Sequence, residues 1–155
     1  GVDWNASEVA TFTMTESHTS FIQWTELKAV ADAKYLYVRL TAPKATWESN
    51  YIDYYFGDAN STESAWLWSD PYEYKSERSQ VTDFEFGMTY NGKPVTVKKT
   101  EDGENVVWAL AFPRNAHSIT TNSGTVKIGF HACVDWTDKG LIPYAWGEKL
   151  AVTLP

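Results

Sequence analysis

Lys34-Tyr35-Leu36-Tyr37-Val38-Arg39-Leu40 reads as a β-strand, because large β-forming side chains follow one another there with a period of two. Asn50-Tyr51-Ile52-Asp53-Tyr54-Tyr55-Phe56 reads the same way and is ended by Gly57-Asp58-Ala59-Asn60. Residues 81–90 form a third strand that closes on the hairpin signal Asn91-Gly92, and residues 95–100 return from it. Asp102-Gly103 then marks a turn into Val106-Val107-Trp108-Ala109-Leu110-Ala111-Phe112, which Pro113 ends. Residues 114–125 are a connection with one helical turn, and residues 126–134 and 149–154 are the last strands. No segment keeps a helical period for three turns, no repeat is visible and no Pro/Ser linker divides the chain. The expected fold is all-β, an antiparallel β-sandwich of jelly-roll type, with 1–155 forming a single domain and loops gathered at its ends or along one face.

The 155 residues suffice for a sizeable core, since a chain of this size buries roughly 70% of its unfolded surface. The single cysteine, Cys133, cannot form an internal bridge, and no CxxC or Cys/His spacing suggests zinc. A net charge of −7, with thirteen dispersed Lys and Arg, argues against nucleic acid. No apolar stretch approaches the roughly 20 residues that cross a bilayer, so no membrane insertion is expected.

Eight tryptophans and nine tyrosines are more rings than a core of this size requires. Trp47, Trp66, Trp68, Trp136 and Trp146 stand in turn-like segments with polar neighbours, and Tyr144 lies beside Trp146. Exposed rings next to Asp, Asn, Glu and Arg suit sugars: the apolar C–H face of a pyranose stacks on the ring, and planar polar side chains take its hydroxyls. Roughly half of the tryptophans are expected in the core, by the general burial trend for Trp. Trp66 and Trp68, like Tyr72 and Tyr74, are two residues apart, so on a strand each pair shares a face that is either a sugar platform or core.

Twenty carboxylates leave room for a glycosidase pair, but nothing in the sequence marks one. GxSxG and HExxH are absent, and His18, His117 and His131 are scattered, so the protein is expected not to be an enzyme and to need no nucleotide cofactor.

A string of segments, taken in order, resembles a family 9 carbohydrate-binding module, of the kind carried by bacterial xylanases. Val2-Asp3-Trp4-Asn5 is similar to the family's opening, and Lys34-Tyr35-Leu36-Tyr37-Val38 to its Leu-Tyr-Val strand. Residues 47–56 resemble its Trp-Glu-x-Asp-Ser-Val-Glu segment, 129–135 its penultimate strand and 146–154 its Trp-containing close. The resemblance implies that Trp47 and Trp146 clamp a sugar between two rings and that Asp53 hydrogen-bonds its hydroxyls. Two positions depart from the family pattern: Asn50 replaces an Asp, and Glu85 falls near a sugar-binding arginine. The segment 57–80, read as a loop, adds Trp66, Trp68, Tyr72 and Tyr74. An open cleft along internal sugar units, with Glu85, Trp136 and Tyr144 among its contacts, is therefore expected rather than capture of a chain end.

On this resemblance the protein is a secreted or cell-surface monomer that brings an attached glycoside hydrolase to a plant polysaccharide. Xylan or another β-glycan is the expected ligand, and starch the runner-up. A structural calcium ion is a further expectation, with Asp58, Asn60 and Asp70 as loop oxygen donors, although turn formation explains the same residues. A haem-binding sandwich of DOMON type is the remaining alternative. It would need an axial Met/His pair, for which Met14, Met88 and the histidines supply residue types but no motif.

Overall fold

The computed structural model describes residues 1–14, 24–44, 51–59, 76–82, 88–89, 94–134, 137–143 and 149–155. Among the described residues there are eleven strands: β1 (Ala10–Thr13), β2 (Glu26–Ala31), β3 (Tyr35–Pro43), β4 (Tyr51–Asp58), β5 (Ser76–Thr82), β6 (Met88–Thr89), β7 (Thr96–Asp102), β8 (Asn105–Pro113), β9 (Gly124–Val134), β10 (Thr137–Ile142) and β11 (Leu150–Leu154). One sheet has the order β1-β2-β3-β8-β7, the other β10-β9-β4-β5-β6 with β11 also on β9. Every pairing is antiparallel, as an all-β sandwich built from reversals requires. The long strand β9 is shared unequally: β4 covers one edge from Val126 to Cys133, while β11 and β10 divide the other, at Gly124 to Ile128 and Phe130 to Val134.

Alternation places the core between the sheets. Leu36, Val38, Leu40 and Ala42 on β3 and Val106, Trp108, Leu110 and Phe112 on β8 meet Ile52, Tyr54 and Phe56 on β4 and Val126, Ile128 and Phe130 on β9. Trp24 and Trp108 pack edge to face at 6.4 Å, so both belong to the core, as expected for part of the tryptophan set. At one end of the sandwich His117 is fully buried among Tyr54, Phe56 and Phe112, with ring centroids 5.3 to 5.9 Å away.

Beside this cluster, the connection of residues 114–125 holds two short 3-10 turns, Arg114–Ala116 and Ser118–Thr120, rather than one helical turn. Arg114 is 4% exposed and ties three chain segments together. Its Nε donates to the Thr120 carbonyl at 2.8 Å, and its Nη1 to the Asp32 carbonyl at 2.6 Å and the Pro155 backbone oxygen at 2.9 Å. The Asp32 side chain organises the adjoining β2–β3 turn by accepting from the Lys34 and Tyr35 N–H groups, both at 2.8 Å, and from the Tyr37 hydroxyl at 3.0 Å. Partial burial pushes the Asp32 carboxyl up, but these hydrogen bonds and the charge of Arg114 outweigh it and hold the group below its ordinary value. The Tyr37 hydroxyl is raised, by burial first and then by its bond to the Asp32 carboxylate.

The strands expected around residues 34–40, 50–56, 95–100, 106–112, 126–134 and 149–154 are all present. The turn at Asp102-Gly103 is also present, with Gly103 at a φ of 60° that suits a residue without Cβ. Two expectations are corrected. Residues 81–90 are not one strand, because Thr82 pairs with Met88 and Val81 with Thr89, so the chain reverses between them. The segment 57–80 is not loop throughout, since β4 runs to Asp58 and β5 begins at Ser76.

Candidate functional site

The candidate site is built on β4 and β9, the central pair of the second sheet. Ile52, Tyr54 and Phe56 point into the core, so the alternate positions Asp53 and Tyr55 belong to the outer face. On β9 the same parity puts His131 outward, between Phe130 and the next inward position. Asp53 and His131 are direct cross-strand partners, and Asp53 Oδ2 lies 2.9 Å from His131 Nδ1. Their side chains are 19% and 13% exposed, so the pair is recessed but reachable. With Nδ1 as donor, the carboxylate fixes the imidazole tautomer. It also leaves Asp53 Oδ1 as an acceptor for a hydroxyl.

Tyr55 extends this surface by one outward step. It is fully buried although it faces away from the core, and Lys149, just ahead of β11, sits with Nζ 4.8 Å above its ring. Beyond β4, the register sets Gln80 opposite Asp53 and Arg78 opposite Tyr55 on β5. The arrangement therefore gathers a carboxylate, an imidazole and an aromatic ring with an ammonium above it. The Tyr55 ring is closed to a ligand by its burial, so the reachable groups are the Asp53 carboxylate and the His131 imidazole, fixed planar groups of the kind that orient a polyhydroxylated ligand.

Of the residues expected to bind ligand, Asp53 is described and stands at this site. Trp47, Trp66, Trp68, Tyr72, Tyr74, Glu85, Trp136, Tyr144 and Trp146 lie outside the described residues. The strands that follow Trp47 and Trp146 in sequence, β4 and β11, flank β9 and run parallel to each other. Of the expected calcium ligands, Asp58 is the final residue of β4, paired with Val126, and not a loop residue; Asn60 and Asp70 lie outside the described residues. Among the described residues no three His, Cys, Asp or Glu side chains gather to hold a metal ion. Met14 packs against the core, and His117 is enclosed by three core rings, so neither stands at the outer face of β4.

From the sequence, Asp53 is a sugar-binding candidate and His131 a packed or rim strand residue; the structure brings the two together. A signal existed: Asp53 and His131 each interrupt an apolar run at the outward parity of a strand.

No family model matches the sequence, and no curated protein does. Among solved structures, the fold is similar to a family 9 carbohydrate-binding module from Caldicellulosiruptor kristjanssonii in complex with glucose, at a TM-score of 0.48 and 14% identity, over 99% of this chain and 78% of that one.

Proposed function

We propose that the protein is a non-catalytic carbohydrate-binding module whose ligand lies on the outer face of β4 and β9. The observation that carries this reading is the Asp53–His131 pair, 2.9 Å apart and partly exposed. A carboxylate held in place by an imidazole presents a directed acceptor at little entropic cost, which is how a site selects the orientation of hydroxyl groups. Trp47 and Trp146 supply the stacking rings in this proposal, and the ligand is xylan or another β-glycan. Binding would then raise the local concentration of an attached glycoside hydrolase at its substrate.

Affinity electrophoresis against xylans, mixed-linkage β-glucan, mannan and amylopectin tests the reading. Retardation by xylan or β-glucan, reduced in Asp53→Asn and in His131→Gln, is the expected result. Retardation by amylopectin alone would shift the ligand to α-glucan. Equal mobility in every gel would reject carbohydrate binding, and unaltered binding by both variants would remove the site from β4 and β9.

A further inference from the structure

The outer face of the five-stranded sheet has a relief that the core does not require. Its register sets Tyr37, Ala111 and Thr96 side by side on β3, β8 and β7, and Arg39, Ala109 and Lys98 in the next matched row. These positions alternate with the buried Leu36, Val38, Leu40 and Leu110, so they share the face turned from the core. Neighbouring strands lie about 4.8 Å apart, so the two alanines floor a trough roughly 10 Å wide. One wall is Tyr35, Tyr37 and Arg39; the other is the exposed pair Thr96 and Lys98.

The first wall is preformed. Tyr35 is 37% exposed, the one large hydrophobic side chain exposed among the described residues, and its ring lies 5.7 Å from that of Tyr37 at an angle of 34°. The Tyr37 hydroxyl is held by Asp32 at 3.0 Å, and Arg39 by Glu26 at 3.3 Å and by the Trp4 ring 5.5 Å from its guanidinium carbon. A cleft of about 370 Å³, lined by Asp3, Val30 and Asp32 among others, opens at Tyr37, and one of about 300 Å³, lined by Lys34, Pro113 and Asn115 among others, opens at Tyr35.

We propose that this trough is a second glycan-binding face, which takes an extended chain of neutral pyranoses along β3. Sugar C–H faces rest on Tyr35 and Tyr37, and hydroxyls meet Thr96 and Lys98. The chemistry favours this occupant over others. Charges along the first wall are already matched, Arg39 by Glu26 and Asp32 by the Tyr37 hydroxyl and two backbone N–H groups, so the wall offers no unbalanced field to an ionic ligand. A single exposed large hydrophobic residue is far short of the apolar area that marks a stable protein interface. The ligand class is that of the proposed function, but no residue is shared and the sheet is the opposite one. A molecule with both faces is divalent and bridges two chains.

Amide NMR of the full chain titrated with xylohexaose, cellohexaose and maltohexaose tests the inference. The expected result is two groups of shifted amides, one around Asp53 and His131 and one around Tyr35, Tyr37, Ala109 and Ala111. Tyr35→Ala should weaken the second group by about tenfold or more, the scale of a lost stacking ring. Ala111→Gln, which fills the trough floor and leaves the core intact, should do the same, and neither variant should alter the first group. Shifts confined to β4 and β9 would overturn the second face and leave the proposed function standing. Shifts confined to β3 and β8 would support the second face and reject the Asp53 site, and no shift with any sugar would reject both.

Discussion

Replacing Arg114 with Met would leave three backbone oxygens, those of Thr120, Asp32 and Pro155, without the donor that now joins them. Hydrogen bonds to a charged group are the costly ones to lose, so Arg114→Met is expected to destabilise by about 2–3 kcal/mol, read from the denaturant midpoint at unchanged slope. Asp32 gives a pH-dependent counterpart. Its carboxyl is held below the ordinary value in the folded chain, so its contribution is complete above the unfolded value of about 3.9 and is lost as pH falls through the lower folded value. The Tyr37 hydroxyl is raised, so the same contact is complete below about pH 10 and is lost at higher pH. Melting temperatures of the wild type and Asp32→Asn should therefore differ most near neutral pH and approach each other toward both extremes. A gap of constant size down to pH 2 would show that Asp32 acts through something other than its charge. At the proposed sugar site, Trp47→Ala and Trp146→Ala should each weaken binding by roughly 1–3 kcal/mol with little change in melting temperature. A large loss of stability in both would place these rings in the core.

At the scale of elements, what could be read from the sequence was decided by residue type. β3, β4, β8 and β9 are rich in Tyr, Val, Ile, Phe and Trp, and on β3 and β8 burial alternates strictly with position. β1 (Ala-Thr-Phe-Thr), β2 (Glu-Leu-Lys-Ala-Val-Ala) and β10 (Thr-Asp-Lys-Gly-Leu-Ile) were not legible, because short or Ala-, Lys- and Gly-containing segments carry weak β preference and are held by their neighbours. β5 begins Ser-Glu-Arg-Ser-Gln, which reads as loop until β4 supplies a ladder for it. The site shows the same division. Asp53 was legible through a resemblance, whereas the contact to His131 is made by residues 78 positions apart and needs the register of β4 on β9. The face assignments can be tested on β8, where Leu110 points inward and Ala111 outward. Leu110→Ala should cost about 3–5 kcal/mol through lost burial and a residual cavity, and Ala111→Ser less than about 0.5 kcal/mol. Comparable losses would mean that the two faces had been exchanged.

Across the whole molecule, the proposed function makes a claim about chain length and charge that no single residue can test. The protein carries a net charge of −7, so a charged glycan would be bound or repelled in a salt-dependent way, whereas a neutral chain gives Debye screening nothing to weaken. Affinity for arabinoxylan should therefore change little with ionic strength, and glucuronic acid substituents should not improve it. Length separates a cleft from a pocket for a chain end. A pocket holds one or two sugars and gains nothing from more, whereas a cleft lined by several rings gains with each unit that finds another apolar surface and pairs another polar edge. β3 has nine residues and a strand rises about 3.3 Å per residue, so the face along it is about 30 Å long, room for roughly four to six sugar units. Titration with linear oligosaccharides should show affinity rising to about that length and then levelling off. Conversion of the terminal sugar to its alditol should leave the longer chains bound as before, since their internal units make the contacts. A plateau at the disaccharide, with binding abolished by that reduction, would restore capture of a chain end and reject the open cleft.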